Sequence, residues 1–306
     1  MLDSDAVQPP RDPEELEVTA ARAGAEIAAD TRMGPVHLGV ADLDRSVAYY
    51  ESAIGLREHE RDGDRATLGA GDGDLLVLFE VPGARPARRH TGLYHFALLV
   101  PERIDLARFL AHAARDRVSL VGLSDHFVSE AIYLSDPDEH GIEVYWDRPR
   151  DVWEGRVGQT LTTLPLDVDD VLREVGDPAR ADFDGLAAGT VMGHVHLRVA
   201  DVPAAVGFYR DALGFALMAQ LGQQAAFLGA GGYHHHIGAN AWESAGATPA
   251  PAGTATLRQM TIVLPDDGAL DSAVARLRDA GVEPQTEPGG ARVHDPSGNP
   301  VAFTVG

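Results

Sequence analysis

Apolar and polar residues alternate along short runs of this chain, and each run is followed by a longer amphipathic stretch. Residues 33–42 (MGPVHLGVAD) alternate as a β-strand does, and residues 43–54 (LDRSVAYYESAI) then place apolar side chains at helical spacing. The same order returns at 192–201 (MGHVHLRVAD) and 202–213 (VPAAVGFYRDAL). Since the second pair repeats the first at one constant offset, the chain contains an internal repeat.

A second strand-and-helix pair follows in each half of the chain. Residues 93–101 (LYHFALLVP) match residues 257–265 (LRQMTIVLP). Helices are predicted near 102–115 and 266–280, and short strands at 65–69, 74–81, 225–228 and 233–239. Each half closes on a tight turn and a strand, at 135–145 (SDPDEHGIEVY) and 294–305 (HDPSGNPVAFTV). The chain therefore contains four predicted units, each with one strand, one helix and three further strands.

A single βαβββ unit leaves one face of its sheet bare, so such units are expected to pair around a cavity. The sequence predicts an α+β fold in which four βαβββ units pair into two barrel-like, curved mixed sheets. The chain is predicted to begin with an N-terminal extension at 1–32, which contains a helix at 14–30. A first half at 33–150 has units near 34–82 and 93–147, and a second half at 191–306 has units near 193–242 and 257–306. A connector at 151–190, with a short helix at 167–175, joins the two halves.

Composition narrows the classes of function. The 306 residues have a formal net charge of −22, which argues against nucleic acid and anionic membrane surfaces as partners. The sequence has no apolar run long enough to span a bilayer and no N-terminal signal pattern, so a cytoplasmic location is predicted. It also has no cysteine, so any metal must be held by carboxylates and by some of the 13 histidines.

Glu143 is an unusual residue for its place in the chain. It lies in the apolar run that follows the turn of residues 135–141, and alternation puts Glu143 and Tyr145 on one strand face, with Ile142 and Val144 on the other. A carboxylate that points into a packed sheet needs a partner, because a lone buried charge is costly. Glu143 is therefore either a solvated residue of an edge strand or part of a functional site.

Four long segments of the chain resemble a known family. These segments are GLYHFALLVP (92–101), SEAIYLSDPDEHGIEVYWDRP (129–149), GHVHLRVAD (193–201) and GGYHHHIGANAW (231–242). With the four βαβββ units, they resemble the vicinal oxygen chelate superfamily, which includes glyoxalases, extradiol ring-cleaving dioxygenases and antibiotic-binding resistance proteins. Within that superfamily the chain is similar to bacterial catechol 2,3-dioxygenase-like proteins, over nearly all of residues 33–306.

The resemblance implies a metal site, because members take metal ligands from the first and last strands of paired units. At those positions this chain offers His95, Glu143 and His194, and otherwise Pro35, Gln259 and Ala302. If units paired in chain order, neither cavity would hold a complete set. If unit two pairs with unit three, the first three residues meet as two imidazoles and one carboxylate, a set that suits non-haem Fe(II). We therefore predict this central pairing, with Fe(II), or alternatively Mn(II), bound there.

The resemblance also implies an acid/base histidine on the last strand of unit three, where this chain has three consecutive histidines. Alternation places His234 and His236 on one face and His235 on the other. Which face meets the metal stays open at this point, although we favour His236 and His234 toward the cavity. The cavity-facing histidine would exchange a proton with the substrate during ring cleavage.

Other candidates surround the predicted ligands. Tyr133 precedes Glu143 on the neighbouring strand, in the place where extradiol dioxygenases carry a tyrosine that hydrogen-bonds the substrate. His126, His196 and Tyr145 are further candidates for substrate contacts. His37, which matches His196 in unit one, is expected to be structural.

The resemblance thus implies an extradiol dioxygenase that inserts both atoms of O2 into a catechol-type aromatic substrate. It also implies a homo-oligomer. One alternative keeps the metal and changes the reaction to that of a glyoxalase-like isomerase or lyase. A second alternative is a non-enzymatic resistance protein that binds an aromatic drug; retention of all three predicted ligands argues against it.

Overall fold

The computed structural model of the chain describes residues 26–306. Most of the predicted helix at 14–30 lies outside the described residues, and its last part, at 26–30, is a loop and a turn instead of a helix. The strands are β1 (Arg32–Met33), β2 (Val36–Val40), β3 (Arg57–Asp62), β4 (Arg65–Ala70), β5 (Gly73–Glu80), β6 (Arg85–Pro86), β7 (Gly92–Leu99), β8 (Gly122–Asp125), β9 (Ser129–Ser135), β10 (Gly141–Asp147), β11 (Leu164–Pro165), β12 (Val191–Arg198), β13 (Ala216–Leu221), β14 (Ala225–Gly229), β15 (Ile237–Asn240), β16 (Thr254–Ala255), β17 (Leu257–Leu264), β18 (Gln285–Glu287), β19 (Gly290–His294) and β20 (Pro300–Val305).

The helices of the structure are α1 (Leu43–Tyr49), α2 (Arg103–Asp116), α3 (Arg150–Trp153), α4 (Val157–Thr160), α5 (Val168–Arg173), α6 (Val202–Val206) and α7 (Asp267–Asp279), with π-helical turns at Tyr50–Ile54 and Gly207–Ala212 and a 3-10 turn at Pro178–Arg180. Helices α1, α2, α5, α6 and α7 lie close to predicted positions. The short helices α3 and α4 and the 3-10 turn form where no helix was predicted. Within residues 26–306, no helix is both long enough and apolar enough to cross a membrane.

Two large mixed sheets contain most of the strands between residues 26 and 306. One has the order β18-β19-β20-β17-β2-β5-β4-β3, with β1 beside β17, and the other has the order β11-β8-β9-β10-β7-β12-β15-β14-β13. At the centre of the second sheet β7 and β12 pair antiparallel, which joins unit two to unit three. At the centre of the first, β2 and β17 pair antiparallel, which joins unit one to unit four. The predicted fold class and the predicted central pairing are therefore confirmed.

The first helix of each sequence half begins and ends for the same reasons. Asp42 and Asp201 cap α1 and α6, since each side chain accepts a hydrogen bond from the backbone three residues later. Each α-helix then widens into a π-helical segment, and Gly55 ends the first one at a φ of 84°, which favours glycine. The predicted helical stretches at 43–54 and 202–213 are thus helical almost throughout.

Buried tyrosines in the π-helical segments connect the two sheets. The Tyr50 hydroxyl donates to Asp136 Oδ2 over 2.9 Å, and the Tyr209 hydroxyl donates to Asp295 Oδ2 over 3.1 Å. The Oδ1 atom of each aspartate accepts two backbone N–H groups from its own Asp-Pro turn, which fixes the strand that follows. Tyr50 and Asp295 belong to units of the first sheet, and Tyr209 and Asp136 belong to units of the second. Each of the two hydrogen bonds therefore connects a unit of one sheet to a unit of the other.

One predicted strand is displaced, and the displacement affects the site. The chain was expected to be extended from 233 to 239, but β15 begins only at Ile237. Gly231 and Gly232 have φ angles of 56° and 73°, in the left-handed region, so they turn the chain just before the three histidines. The histidines therefore lie in a turn rather than on a strand, and simple alternation does not apply to them.

Candidate metal and substrate site

Three neighbouring strands bring the predicted ligands together. His95 lies on β7, Glu143 on β10 and His194 on β12, and both Glu143 and His194 pair with Ala97 of the strand between them. The His95 Nε2 atom is 3.0 Å from Glu143 Oε2, and the His194 Nε2 atom is 3.1 Å from the same oxygen. One ligand atom from each of the three side chains lies within 4.8 Å of the others. This spacing suits donors that converge on one cation.

The charges of these residues favour metal binding. Burial opposes the ionised form of Glu143, but the attraction of His194 and the contacts with both imidazoles outweigh it and hold the pKa of this carboxyl well below its usual value. Burial lowers the pKa of His194, although Glu143 acts in the opposite direction. Metal binding requires an ionised carboxylate and neutral imidazole ligands, and the directions of the Glu143 and His194 pKa shifts favour that state.

The hydrogen bonding of His95 gives a further sign of fit. Its Nε2 atom is buried and has no well-aligned hydrogen-bond partner among the described residues, despite the short distance to Glu143. A buried polar atom without a partner is costly, and coordination to a cation at this place would satisfy it. The donor set of two imidazoles and one carboxylate is that of mononuclear Fe(II) sites with open positions.

The three side chains lie at the wall of a cavity of about 1000 Å³. Apolar groups form most of the wall area, and serine, threonine, histidine and charged side chains line the rest. The lining includes the predicted residues His126, Tyr133 and His196, together with Tyr94, Phe227, His235 and Trp242. A large, mainly apolar cavity with a few converging polar groups is typical of a small-molecule site.

On one side of the triad, His126 and Tyr133 form a hydrogen-bonded pair. The His126 Nδ1 atom is 2.7 Å from the Thr162 carbonyl, and its Nε2 atom is 2.7 Å from the Tyr133 hydroxyl. A carbonyl oxygen can only accept, so Nδ1 carries the ring hydrogen and the neutral ring accepts the Tyr133 O–H at Nε2. Burial, and then the charge of Glu143, raise the pKa of Tyr133 well above its usual value, so this phenol stays protonated.

On the other side, a chain of three groups leads from Asp147 to the cavity. Asp147 Oδ1 is 2.9 Å from His234 Nε2, and the His234 Nδ1 atom is 2.7 Å from His235 Nδ1. Because the carboxylate only accepts, His234 donates to it through Nε2 and accepts from His235 through Nδ1. The His235 Nε2 atom then remains as a free base at the cavity wall.

Comparison with known proteins agrees with this geometry. The family model of the Glyoxalase/Bleomycin resistance protein/Dioxygenase superfamily matches residues 32–144 and 191–303. The chain belongs to this superfamily. A protein of Bacillus subtilis named catechol-2,3-dioxygenase is 41% identical to it over 283 residues, which cover 90% of this chain and 98% of that relative. The resemblance expected from the sequence is therefore confirmed.

Solved structures of superfamily type share the fold at low sequence identity. Glyoxalase I from Zea mays is 19% identical and superposes with a TM-score of 0.52, covering 90% of this chain and 92% of that one. The cppA protein from Streptococcus pneumoniae is 12% identical, with a TM-score of 0.54 over 92% of this chain and 99% of the other. These two structures bear on the fold alone.

The structure places the three consecutive histidines differently from our expectation. His234 and His236 were expected to face the cavity, but His235 lines it and the other two do not. His234 is fully buried behind it, and the His236 Nδ1 atom accepts the Ala230 backbone N–H over 3.1 Å. The prediction was wrong because the preceding Gly-Gly turn rotates the segment before β15 begins.

Two substrate-contact candidates have different outcomes in the structure. His196 lines the cavity, and its ring packs so close to Gly238 that a Cβ atom there would lie 2.7 Å from it. Tyr145 is fully buried and lies outside the cavity lining, which contradicts its expected contact with substrate. Its hydroxyl is 2.7 Å from the Tyr233 hydroxyl, which donates to Asp147 Oδ2 over 2.8 Å.

Asp147 and Arg198 are functional candidates that the sequence reasoning missed. Asp147 lies four residues after Glu143 on the same strand, and Arg198 lies four residues after His194. Alternation places each of them on the face of the neighbouring ligand, so the period of the strand could have pointed to both. Their partners come from distant segments, which the sequence does not bring together.

Proposed function

We propose that this chain is an extradiol dioxygenase that uses Fe(II), or alternatively Mn(II), to insert both atoms of O2 into a catechol-type aromatic substrate in the cytoplasm. His95, Glu143 and His194 would hold the metal. The observation that carries the proposal is the convergence of these three side chains on one cavity. It is supported by the identity of 41% to a protein named catechol-2,3-dioxygenase.

The metal, when bound, would act as the Lewis acid and electron-transfer centre at which a catechol and O2 are brought together. The wall area of the cavity is mainly apolar, which favours binding of an aromatic ring beside that centre. Side chains of this chain would make the hydrogen bonds and the proton transfers.

Tyr133 and His126 would take the first proton from the substrate. A substrate hydroxyl that donates to the Tyr133 oxygen passes its proton to that oxygen while the Tyr133 O–H proton moves to His126 Nε2. The tyrosine is unchanged, the substrate oxygen becomes an anion and His126 becomes an imidazolium. The Thr162 carbonyl, 2.7 Å from Nδ1, holds this ring in the orientation that the transfer requires.

His235 would handle the second proton. Its Nε2 atom is the free base at the cavity wall, and Asp147 fixes that tautomer through His234. Burial, followed by repulsion from the neighbouring histidines, lowers the pKa of His235 well below its usual value. This imidazole is therefore neutral before substrate binds, and a proton that it accepts during the reaction is readily returned.

Metal analysis and oxygen uptake test the proposal. The protein is purified without oxygen, its Fe, Mn, Zn and Ni contents are measured, and O2 consumption is followed with catechol and a panel of substituted catechols. We expect about one Fe or Mn per chain and a yellow ring-fission product. Stoichiometric metal without O2 consumption across the panel would overturn the dioxygenase in favour of a glyoxalase-like reaction. Absence of bound metal would overturn the assignment of the three ligands.

A further inference from the structure

We propose that Arg198 forms an anion subsite in the cavity and that the preferred substrate is a catechol with a carboxylate on a flexible substituent. This inference rests on the proposed function and names the substrate class that the same cavity would take. The catechol oxygens would bind at the triad, and the carboxylate would bind the guanidinium group further along the cavity wall.

The position of Arg198 relative to the triad sets the length of such a substrate. Arg198 is the last residue of β12, and it lies on the strand face that also carries His194 and His196. Its side chain lines the cavity with theirs. Four residues of strand separate the Cα atoms of Arg198 and His194 by about 13 Å. An anion bound here would belong to a side chain of the ring, not to the ring itself.

The guanidinium group has unused hydrogen-bonding capacity. The Arg198 side chain is only 18% exposed, and its Nε atom is buried without a hydrogen-bond partner among residues 26–306. A nearby carboxylate is that of Glu243, whose Oε2 atom is 3.8 Å from the Arg198 Nη2 atom and whose side chain is 63% exposed. An ion pair at this distance with a solvent-exposed carboxylate is weak. A ligand carboxylate could instead engage the planar fork with two oxygens.

Among the other charged residues of the cavity lining, Glu243 is the one carboxylate that forms an ion pair with Arg198. Apart from the triad, the charged residues that line the cavity are Arg88, Arg89, Glu139, Arg198 and Glu243. Arg88 holds Glu139 through two hydrogen bonds, so that carboxylate is already engaged. The walls beside Arg198 are aromatic: its guanidinium carbon lies 5.7 Å from the centre of the Tyr94 ring, and Trp242 packs against the same ring. Such walls exclude water and strengthen a charge-assisted hydrogen bond.

Cavity size and the internal repeat support the same conclusion. The volume of about 1000 Å³ lies at the upper end of the range of roughly 300–1,000 Å³ that is typical of sites for drug-sized ligands, so it exceeds the needs of a single ring. In the repeat, the residue that matches Arg198 is Gly39, which lies in the sheet without the triad. The arginine thus accompanies the candidate metal ligands and is not a requirement of the fold.

Binding to metal-free protein tests the subsite separately from catalysis. Titration calorimetry compares 3-(3,4-dihydroxyphenyl)propionate with its methyl ester, which has the same ring and linker but no charge. We expect wild-type protein to prefer the acid, and Arg198→Met to weaken binding of the acid by about 10- to 100-fold while the ester changes little. Arg198→Lys should retain part of the preference, because it keeps the charge without the planar fork.

Arg276→Met is the matched control, because the Arg276 Nε atom is also buried without a partner among the described residues but lies outside the cavity lining. This variant should bind both compounds as wild type does. Equal losses for acid and ester in Arg198→Met, unchanged binding of both, or no binding of the acid to wild type would each overturn the subsite. Because neither metal nor turnover is involved, failure of the dioxygenase proposal would leave this result interpretable.

Discussion

The two large sheets of this protein have matching strand orders and matching central registers, but only one of them carries a candidate metal site. In the sheet of units two and three, His95 on β7 pairs with His196 on β12. In the sheet of units one and four, Gln259 on β17 pairs with His37 on β2, which are the corresponding positions of the repeat. The two sheets therefore share their strand order and their central register.

The two sheets differ at the candidate ligand positions. Where one sheet has His194 and Glu143, the other has Pro35 and Ala302. By contrast, both halves retain the aspartate caps, the π-helical tyrosines and the Asp-Pro turns. The sheet of units one and four thus forms without the candidate metal ligands, so these ligands are not needed to form the fold. Metal binding depends on residues that only the sheet of units two and three carries.

The largest expected effect is loss of the metal from one sheet by a single substitution. Glu143→Ala removes the only carboxylate among the three candidate ligands, so we expect bound Fe or Mn to fall below a tenth of the wild-type content and dioxygenase activity to disappear with it. Elemental analysis after anaerobic purification measures the first effect and oxygen uptake the second. The counterpart Ala302→Glu should add no metal, because Gln259 and Pro35 supply no imidazole. Wild-type metal content in Glu143→Ala would contradict the assignment.

The next effect concerns the orientation of His235. In Asp147→Asn the partner of His234 Nε2 is no longer an obligatory acceptor, so the tautomer that leaves His235 Nε2 free is no longer enforced. We expect kcat to fall by about 10- to 100-fold while metal content and KM stay near wild type. His236→Gln is the matched control, since His236 lies outside the cavity lining, and it should leave kcat within about threefold of wild type. The opposite ranking of the two variants would restore His236 as the candidate acid/base.

These histidines also show how far sequence reasoning reaches. The repeat predicted the four units from spacing and residue type alone. The central pairing was predicted from the complementarity of His95, Glu143 and His194 at the ligand positions that the family resemblance implies. Sequence reasoning gave the wrong orientation for His235, because the direction of that side chain depends on the φ angles of two glycines before the strand. It also missed the hydrogen bond from His234 to Asp147, because these residues lie far apart in the chain and no local sequence pattern indicates their contact.

Removal of the tyrosine hydroxyls should destabilise the protein in both halves of the chain. Tyr50→Phe and Tyr209→Phe each delete a buried hydrogen bond to an aspartate that organises a turn. The loss should be larger for Tyr50→Phe, because Asp295 Oδ2 still accepts the Asn299 side-chain amide over 2.9 Å. We expect each variant to lower the free energy of unfolding by about 1–3 kcal/mol, measured by urea denaturation, with little change in metal content. A larger loss in Tyr209→Phe than in Tyr50→Phe would contradict this ranking.

The smallest expected effect concerns His37, which matches His196 in the repeat. Burial, followed by the charges of Arg65 and Arg292, lowers the pKa of His37 from 6.5 to about 4. As pH falls through this interval, the unfolded chain binds a proton at His37 and the folded chain does not, so this residue lowers stability progressively below pH 6.5.

In metal-free protein, His37→Gln should therefore reduce the dependence of unfolding free energy on pH between 6.5 and 4. The change must stay below about 1.4 kcal/mol per pH unit, the limit for one proton, because His37 is partly solvated. Urea denaturation at a series of pH values measures it, and identical slopes in the two proteins would mean that His37 is protonated in the fold and is not the neutral structural residue of the sheet without the triad.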